Sequence, residues 1–182
     1  MNRNEIIGQY YQKIFKLCIY NLKNTEESED LTQEIFFKIF NKLDTFQEQA
    51  KLYTWIYRIA INTIINHVKR KKIIRFLTFE SNGCSEFEIS SDGLDDPAER
   101  SEQKEERRLK LLAIQQAKQV LSDKERIAFF LFCYEGHKQK RIAEMMNCSV
   151  SAVESLIFKA KKKIKKEIAR LYPDICHNLR RK

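Results

Sequence analysis

Residues Gln139 to Lys166 leave the chain few options other than two helices joined by a tight turn. Gln139-Lys140-Arg141-Ile142-Ala143-Glu144-Met145-Met146 is a short amphipathic helix. Asn147-Cys148-Ser149 is the turn, with Asn147 placed where a left-handed backbone is needed and Asn tolerates one. Ser149 can cap a second helix that starts near Val150. Val153, Leu156, Ile157, Ala160 and Ile164 fall on one face of that helix, and the small Ala143 lets the first helix cross it closely. The spacing is that of a helix-turn-helix, whose second helix enters a DNA major groove. Its outward face carries Ser151, Ala152, Glu154, Ser155, Phe158 and Lys159, residue types that reach base edges. Lys159, Lys161, Lys162, Lys163, Lys165 and Lys166 suit phosphates.

The rest of the chain is consistent with an all-α fold of two small helical domains. Only 4 Gly and 2 Pro occur in 182 residues, and runs of Lys, Glu, Leu and Ile dominate. Net charge is +9, which suits an anionic partner. Its distribution is uneven. Residues 80–106 hold ten acids and two bases, a net of −8, which leaves +17 on the remainder. That acidic stretch contains Ser81-Asn82-Gly83, Ser90-Ser91-Asp92-Gly93 and Asp95-Asp96-Pro97, and it loses helical periodicity.

Four units are therefore expected. Residues 1–75 form a helical domain with helices over 5–23, 29–43 and 54–72; in the second of these Leu31, Ile35, Phe36, Ile39, Phe40 and Leu43 point inward. Residues 76–98 form a flexible acidic linker. Residues 99–172 form the helix-turn-helix domain, with a charged helix over 99–120 and a capping box at Ser122 and Glu125. Residues 173–182 are a basic tail.

Two faces of the first domain carry chemistry with an ordinary reading beside it. Trp55, Tyr57 and Arg58 put aromatics next to a cation, and Asn62, Asn66, Lys69 and Arg70 follow on about one side. Stacking surfaces, amides and cations are the parts of a single-strand binding site, while aromatics at helical spacing are also core material. Glu29, Asp30, Gln33 and Glu34 form an acidic face that is either solvated or a docking surface for a basic partner.

Other classes lack support. Cys18, Cys84, Cys133, Cys148 and Cys176 have no CxxC spacing, and the adjacent Cys176-His177 is not at ligand spacing, so no metal site and no cofactor are expected. The polar start Met1-Asn2-Arg3-Asn4-Glu5 is not a secretory signal, and no apolar run approaches the roughly 20 residues that span a bilayer. Reduced thiols in a cytoplasm are expected. No phosphate loop and no nucleophile set can be argued, so no catalytic residue is assigned and the chain is not read as an enzyme.

Two blocks of residues resemble one known family. Glu29-Asp30-Leu31-Thr32-Gln33-Glu34-Ile35-Phe36 with Lys38, and Tyr53-Thr54-Trp55-Ile56-Tyr57-Arg58-Ile59-Ala60-Ile61-Asn62-Thr63, resemble region 2 of bacterial sigma-70 factors. Leu121-Ser122-Asp123-Lys124-Glu125-Arg126, Ile142-Ala143-Glu144, Cys148-Ser149-Val150 and Val153-Glu154-Ser155 resemble region 4. The short linker between them is similar to that of the extracytoplasmic-function (ECF) subgroup.

The resemblance implies partners and roles. Asp30, Leu31, Gln33, Glu34, Phe36 and Lys38 would bind the clamp helices of core RNA polymerase, whose flap would hold the second domain. Phe46, Tyr53, Trp55, Tyr57, Arg58, Asn62, Asn66, Lys69 and Arg70 would bind the −10 element, with a flipped base held by the loop from Phe46 to Tyr53. Ser149, Ser151, Ala152, Glu154, Ser155, Phe158, Lys159 and Lys162 would read the −35 element of promoter DNA. An anti-sigma factor is a further implied partner. Asn66, Lys69, Glu154 and Leu156 depart from residues common in the family, which bears on the promoter bases read. The competing reading is a stand-alone helix-turn-helix regulator that grips its operator without polymerase.

Overall fold

Among the described residues six α-helices carry the chain, and their caps explain most of the boundaries. The structure, a computed structural model, describes residues 3–46, 51–78 and 116–171. The first helix, α1 (Arg3–Leu22), buries Ile6, Tyr10, Ile14, Leu17 and Cys18 along one stripe. It stops at Lys23, whose φ of 62° lies in the left-handed region and whose N–H donates back to Ile19 O. Asn24 then caps α2 (Thr25–Lys42): its side chain accepts from Glu27 N at 2.7 Å. The helix thus starts four residues earlier than the apolar pattern alone suggests. Its first turn is polar, so only the cap and the acids Glu26 and Glu27 mark it.

A 3-10 turn, Leu43–Thr45, follows, and α3 runs from Leu52 to Thr78. That is longer than the 54–72 expected from periodicity. The acidic linker from residue 79, the charged helix up to residue 115 and the tail from residue 172 lie outside the described residues. The chain is described again at residue 116, makes a 3-10 turn at Lys118–Val120, and enters α4 (Asp123–Cys133). The expected capping box is present. Ser122 Oγ accepts from Glu125 N, and Ser122 N donates to Glu125 Oε2 at 2.8 Å.

The helix-turn-helix forms as its sequence predicts. Helix α5 (Gln139–Met146) ends at Asn147, with φ 50° and ψ 54°. Cys148 N donates to Ala143 O at 3.1 Å, and Ser149 Oγ accepts from Ala152 N at 3.2 Å, which opens α6 (Val150–Leu171). Val153, Ile157, Ala160 and Ile164 are buried, and Leu156 packs against the same core half-buried. The described residues contain no strand, so the fold is all-α.

The sequence does not announce that the two helical blocks share a core. Ile6, Ile35, Ile56 and Ile61 of the first block belong to one buried cluster with Ile127, Leu131, Ile142 and Met145 of the second. Helices α1 and α3 pack on α4, and α3 also packs on α5. Arg126 closes the seam at one end: its Nη1 donates to Asn21 O, on the last turn of α1. A cation there meets the negative end of the helix dipole. Lys118 Nζ sits 4.1 Å over the Tyr20 ring, and Lys72 pairs with Asp123 at 2.8 Å.

Two carboxylates, half-buried Glu27 and buried Glu125, couple this packing to pH. Burial alone would push the Glu27 carboxyl up, but hydrogen bonds and charge from Lys71 and His67 outweigh it and hold it below 4.5. Glu125 behaves alike: burial raises it, and Lys163 with the Ser122 amide more than reverses that. A depressed carboxyl contributes stability above its unfolded pKa and loses it as pH falls through the folded one. Thermal stability should therefore fall from about pH 4.5 downward. Glu27→Gln and Glu125→Gln should each unfold earlier at pH 6, by on the order of 1–3 kcal/mol, and show a shallower acid limb. Unchanged acid limbs in both variants would remove these ion pairs from the account.

Candidate polymerase and nucleic-acid interfaces

Helix α2 has two unlike faces. Leu31, Ile35, Phe36 and Ile39 turn into the core, with Phe36 between Tyr11 and Phe40 at ring distances of 5.8 and 6.0 Å. Leu31 and Phe36 are only 2% and 5% exposed. Periodicity puts both inward, and the structure agrees with periodicity. The surface belongs to Asp30, Gln33, Glu34 and Phe37, with half-buried Lys38 paired to Glu34 at 2.5 Å. Phe37 is 66% exposed, a large apolar side chain on a polar face, and the sequence reading passed over it. The step of about 100° between consecutive helical residues is the signal that separates it from Phe36. Beside this face, Asn24, Glu26, Glu27, Asp30, Leu31, Glu34 and His67 line an open groove of about 280 Å³.

Helix α3 divides the expected −10 residues into two groups. Asn62, Asn66, Lys69 and Arg70 are exposed, and their spacing puts them along one side of the helix. Trp55 is half-buried, with its ring 5.1 Å from that of Phe46. The second group is covered. Tyr57 is fully buried, and its hydroxyl donates to both oxygens of Glu135 at 2.8 and 3.0 Å. Tyr53 shares a hydrogen bond with His137, and the Arg141 guanidinium lies 4.0 Å above its ring. Arg58 Nη2 donates to Glu144 O at 2.9 Å. Burial pushes the Tyr53 hydroxyl up to about 12 and Tyr57 further still, so both stay protonated donors at neutral pH.

The covering residues come from the second block. Gly136, at φ 69°, lets the chain turn sharply after α4, and His137 N donates to Leu131 O. That turn presents Glu135 and His137, 2.8 Å apart, to α3. Sequence reasoning gave neither residue a role, because only the packing of two distant segments brings them to Tyr53 and Tyr57.

Helix α6 presents its outer face freely. Ser149, Ser151, Glu154, Ser155, Phe158, Lys159 and Lys162 are exposed, Phe158 by 68%, and Ala152 is half-buried at the base of that face. The lysines continue at Lys161, Lys163, Lys165 and Lys166, of which Lys163 is engaged with Glu125. The face offers short hydroxyls, one carboxylate and one aromatic ring to a groove, flanked by cations for phosphates.

No described helix is long and apolar enough to cross a membrane. Among the described residues no group of His, Cys, Asp or Glu is arranged to hold a metal ion. Cys18, Cys133 and Cys148 are free thiols; Cys84, Cys176 and His177 lie outside the described residues.

Comparison with known proteins agrees with this geometry. Residues 6–73 match the family described as Sigma-70 region 2, and residues 111–164 match Sigma-70, region 4. The RNA polymerase sigma-H factor of Pseudomonas aeruginosa is 31% identical over 90% of this chain and 84% of its own length. The ECF RNA polymerase sigma factor SigW of Bacillus subtilis is 29% identical over 90% of this chain and 87% of its own. Among solved structures, the sigma factor RpoE of Bartonella quintana, in complex with the anti-sigma factor NepR, superposes with a TM-score of 0.69. That match covers 91% of this chain and 95% of the other at 17% identity, a likeness of fold. With two region models matched in order and a relative above 30% identity along nearly its whole length, the chain belongs to the sigma-70 family of RNA polymerase sigma factors, in its ECF group.

Proposed function

We propose that this protein is a dissociable promoter-specificity subunit that works only on core RNA polymerase. The observation that carries the reading is the pairing of two exposed faces on one chain. One is the Asp30, Gln33, Glu34 and Phe37 face of α2; the other is the Ser151, Glu154, Ser155 and Phe158 face of α6. The first docks on the polymerase clamp, and the second reads the −35 element in a major groove. Asn62, Asn66, Lys69 and Arg70 meet the DNA around the −10 element. Tyr53, Trp55 and the neighbouring loop hold a base flipped out of the duplex. Flipping costs a few kcal/mol, which stacking and a fitted pocket offset.

The contacts to each element are weak singly. Tethered to one polymerase, they act at high effective concentration and sum. The protein contributes recognition and melting, and polymerase supplies the chemistry, so the chain itself is not an enzyme. It acts in the bacterial cytoplasm, where its template lies, and an anti-sigma factor holds it in reserve; RpoE was solved with such a partner. Residues 76–98 are assigned to the tether between the two modules, with 76–78 continuing α3. The alternative of a stand-alone regulator has no support from the family match.

The test is reconstitution. The purified chain should co-elute with core polymerase and direct run-off transcripts from supercoiled genomic DNA, with starts preceded by a shared pair of motifs. Tight sequence-specific binding to duplex DNA without polymerase, together with failure to co-elute, would establish the stand-alone regulator instead.

A further inference from the structure

The six lysines that the sequence offers to phosphates divide in the structure. Lys159, Lys162, Lys165 and Lys166 are exposed on or beside the outer face of α6. Lys161 and Lys163 turn back onto α4 instead. Lys163 Nζ donates to Glu125 Oε2 at 2.8 Å. The same oxygen accepts from the Ser122 amide of the capping box, also at 2.8 Å, and Glu125 is only 5% exposed. The ammonium is thus held on an oxygen that is itself fixed in the first turn of α4. Lys161 Nζ lies 4.8 Å over the ring of Phe132, in the last turn of the same helix. A cation there also meets the negative end of the α4 dipole.

The placement of these two lysines constrains the helix. Successive helical residues step about 100° around the axis, so Lys161 and Lys163 stand on opposite flanks of the buried stripe formed by Val153, Ile157, Ala160 and Ile164. Each flank is tied to a different end of α4. The apolar contact at this level is shallow. After Ile157 the helix leaves the shared core, and Ala160 and Ile164 meet Ala117 and Leu121 in a separate small cluster. Two of those four residues are alanines, whose low ridges resist separation better than rotation about the axis. Rotation is what base reading cannot tolerate. Side chains reach about 5–6 Å from a helix axis, so a turn of about 20° moves their tips by about 2 Å. Hydrogen bonds to base edges keep to about 2.7–3.2 Å.

We propose that Lys161 and Lys163 are positioning residues for promoter recognition: by gripping α4 from both flanks they set the rotation of α6, and with it the base edges that Ser151, Glu154, Ser155 and Phe158 meet. The inference rests on the −35 reading of α6 given above. It takes two lysines out of the phosphate contacts and gives them a part in specificity, although neither touches DNA. The experiment uses the full-length protein reconstituted with core polymerase. One variant combines Lys161→Met and Lys163→Met; a second combines Lys161→Arg and Lys163→Arg. Methionine keeps a long apolar stem and loses the charge, whereas arginine keeps the charge and still pairs with a carboxylate and stacks on a ring. Neither lysine is part of the buried core, so the fold survives both changes. Lys159→Ala is the standard for one lost phosphate contact. Two readouts are taken. One is the base preference in a promoter library randomised across the −35 element. The other is the slope of log affinity against log salt on a single promoter fragment.

The methionine pair should lose about five- to tenfold in preference at two or more neighbouring base pairs, and keep the salt slope of the wild type. The arginine pair should select the wild-type motif. Lys159→Ala should also select that motif, with a slope lower by about one. A methionine pair that keeps the motif and lowers the slope by about two would make both lysines phosphate contacts and overturn the proposal. Motif and slope both unchanged overturn it too, as does a loss of affinity shared equally by all sequences. An arginine pair as blurred as the methionine pair has the same consequence, because the charge would then not be what holds the helix. The −35 reading stands or falls separately, on the wild type. A wild-type selection that returns no preferred −35 motif removes that reading, whereas failure of the positioning role leaves the wild-type motif in place.

Discussion

Phe36→Ala is expected to destabilise the protein by about 3–5 kcal/mol, whereas Phe37→Ala, one residue along, should cost it about 0.5 kcal/mol or less. Phe36 is 5% exposed and wedged between Tyr11 and Phe40, so truncation leaves a cavity in a close-packed core. Phe37 is 66% exposed and fills nothing. The order reverses for binding. Phe37 stands among Asp30, Gln33 and Glu34, the arrangement of an aromatic anchor inside a polar rim. Its loss should weaken co-elution with core polymerase by tenfold or more, roughly 1.4 kcal/mol. Urea unfolding measures the first effect and polymerase affinity the second. Wild-type affinity in Phe37→Ala would move the docking face off α2.

The outer face of α6 should separate specificity from affinity in the same way. Glu154 is exposed on a helix otherwise rich in lysine, where a carboxylate costs binding unless it accepts from a base. Glu154→Ala is then expected to relax discrimination at one base pair by about 1–3 kcal/mol, and to leave most other positions as they were. Phe158, one turn further and 68% exposed, suits a thymine methyl group, and Phe158→Ala should blur a second position. Lys159→Ala and Lys162→Ala should instead weaken all sequences alike and lower the salt dependence by about one phosphate contact each. Selection of promoter sequences with reconstituted polymerase distinguishes these outcomes. Uniform loss in Glu154→Ala would make that residue a phosphate-side bystander.

How much of this was legible beforehand depended on the range of the signal. Asn147, Ser149 and the Ser122–Glu125 box each act within one helical turn, and all took their expected geometry. The inward face of α6 followed from a 3.6-residue period. Residues 24–30 carry an equally local signal of a turn and helix start, with acids suited to the helix dipole, and Asn24 proves to be the cap. For α2, the periodicity that puts Leu31 and Phe36 inward matches their burial. A motif quoted from a family mixes residues that face a partner with residues that hold the helix up.

The sequence by itself determined the helices, their caps and the helix-turn-helix, because those are set by neighbours three or four residues apart. Only the tertiary structure decided that the two blocks share a core and that Glu135, His137 and Arg141 lie on Tyr53 and Tyr57. The partners in those contacts are separated by 78 to 88 positions in the chain. No periodicity spans that distance, and apolar faces of similar pattern could pair in several ways until shape selects one.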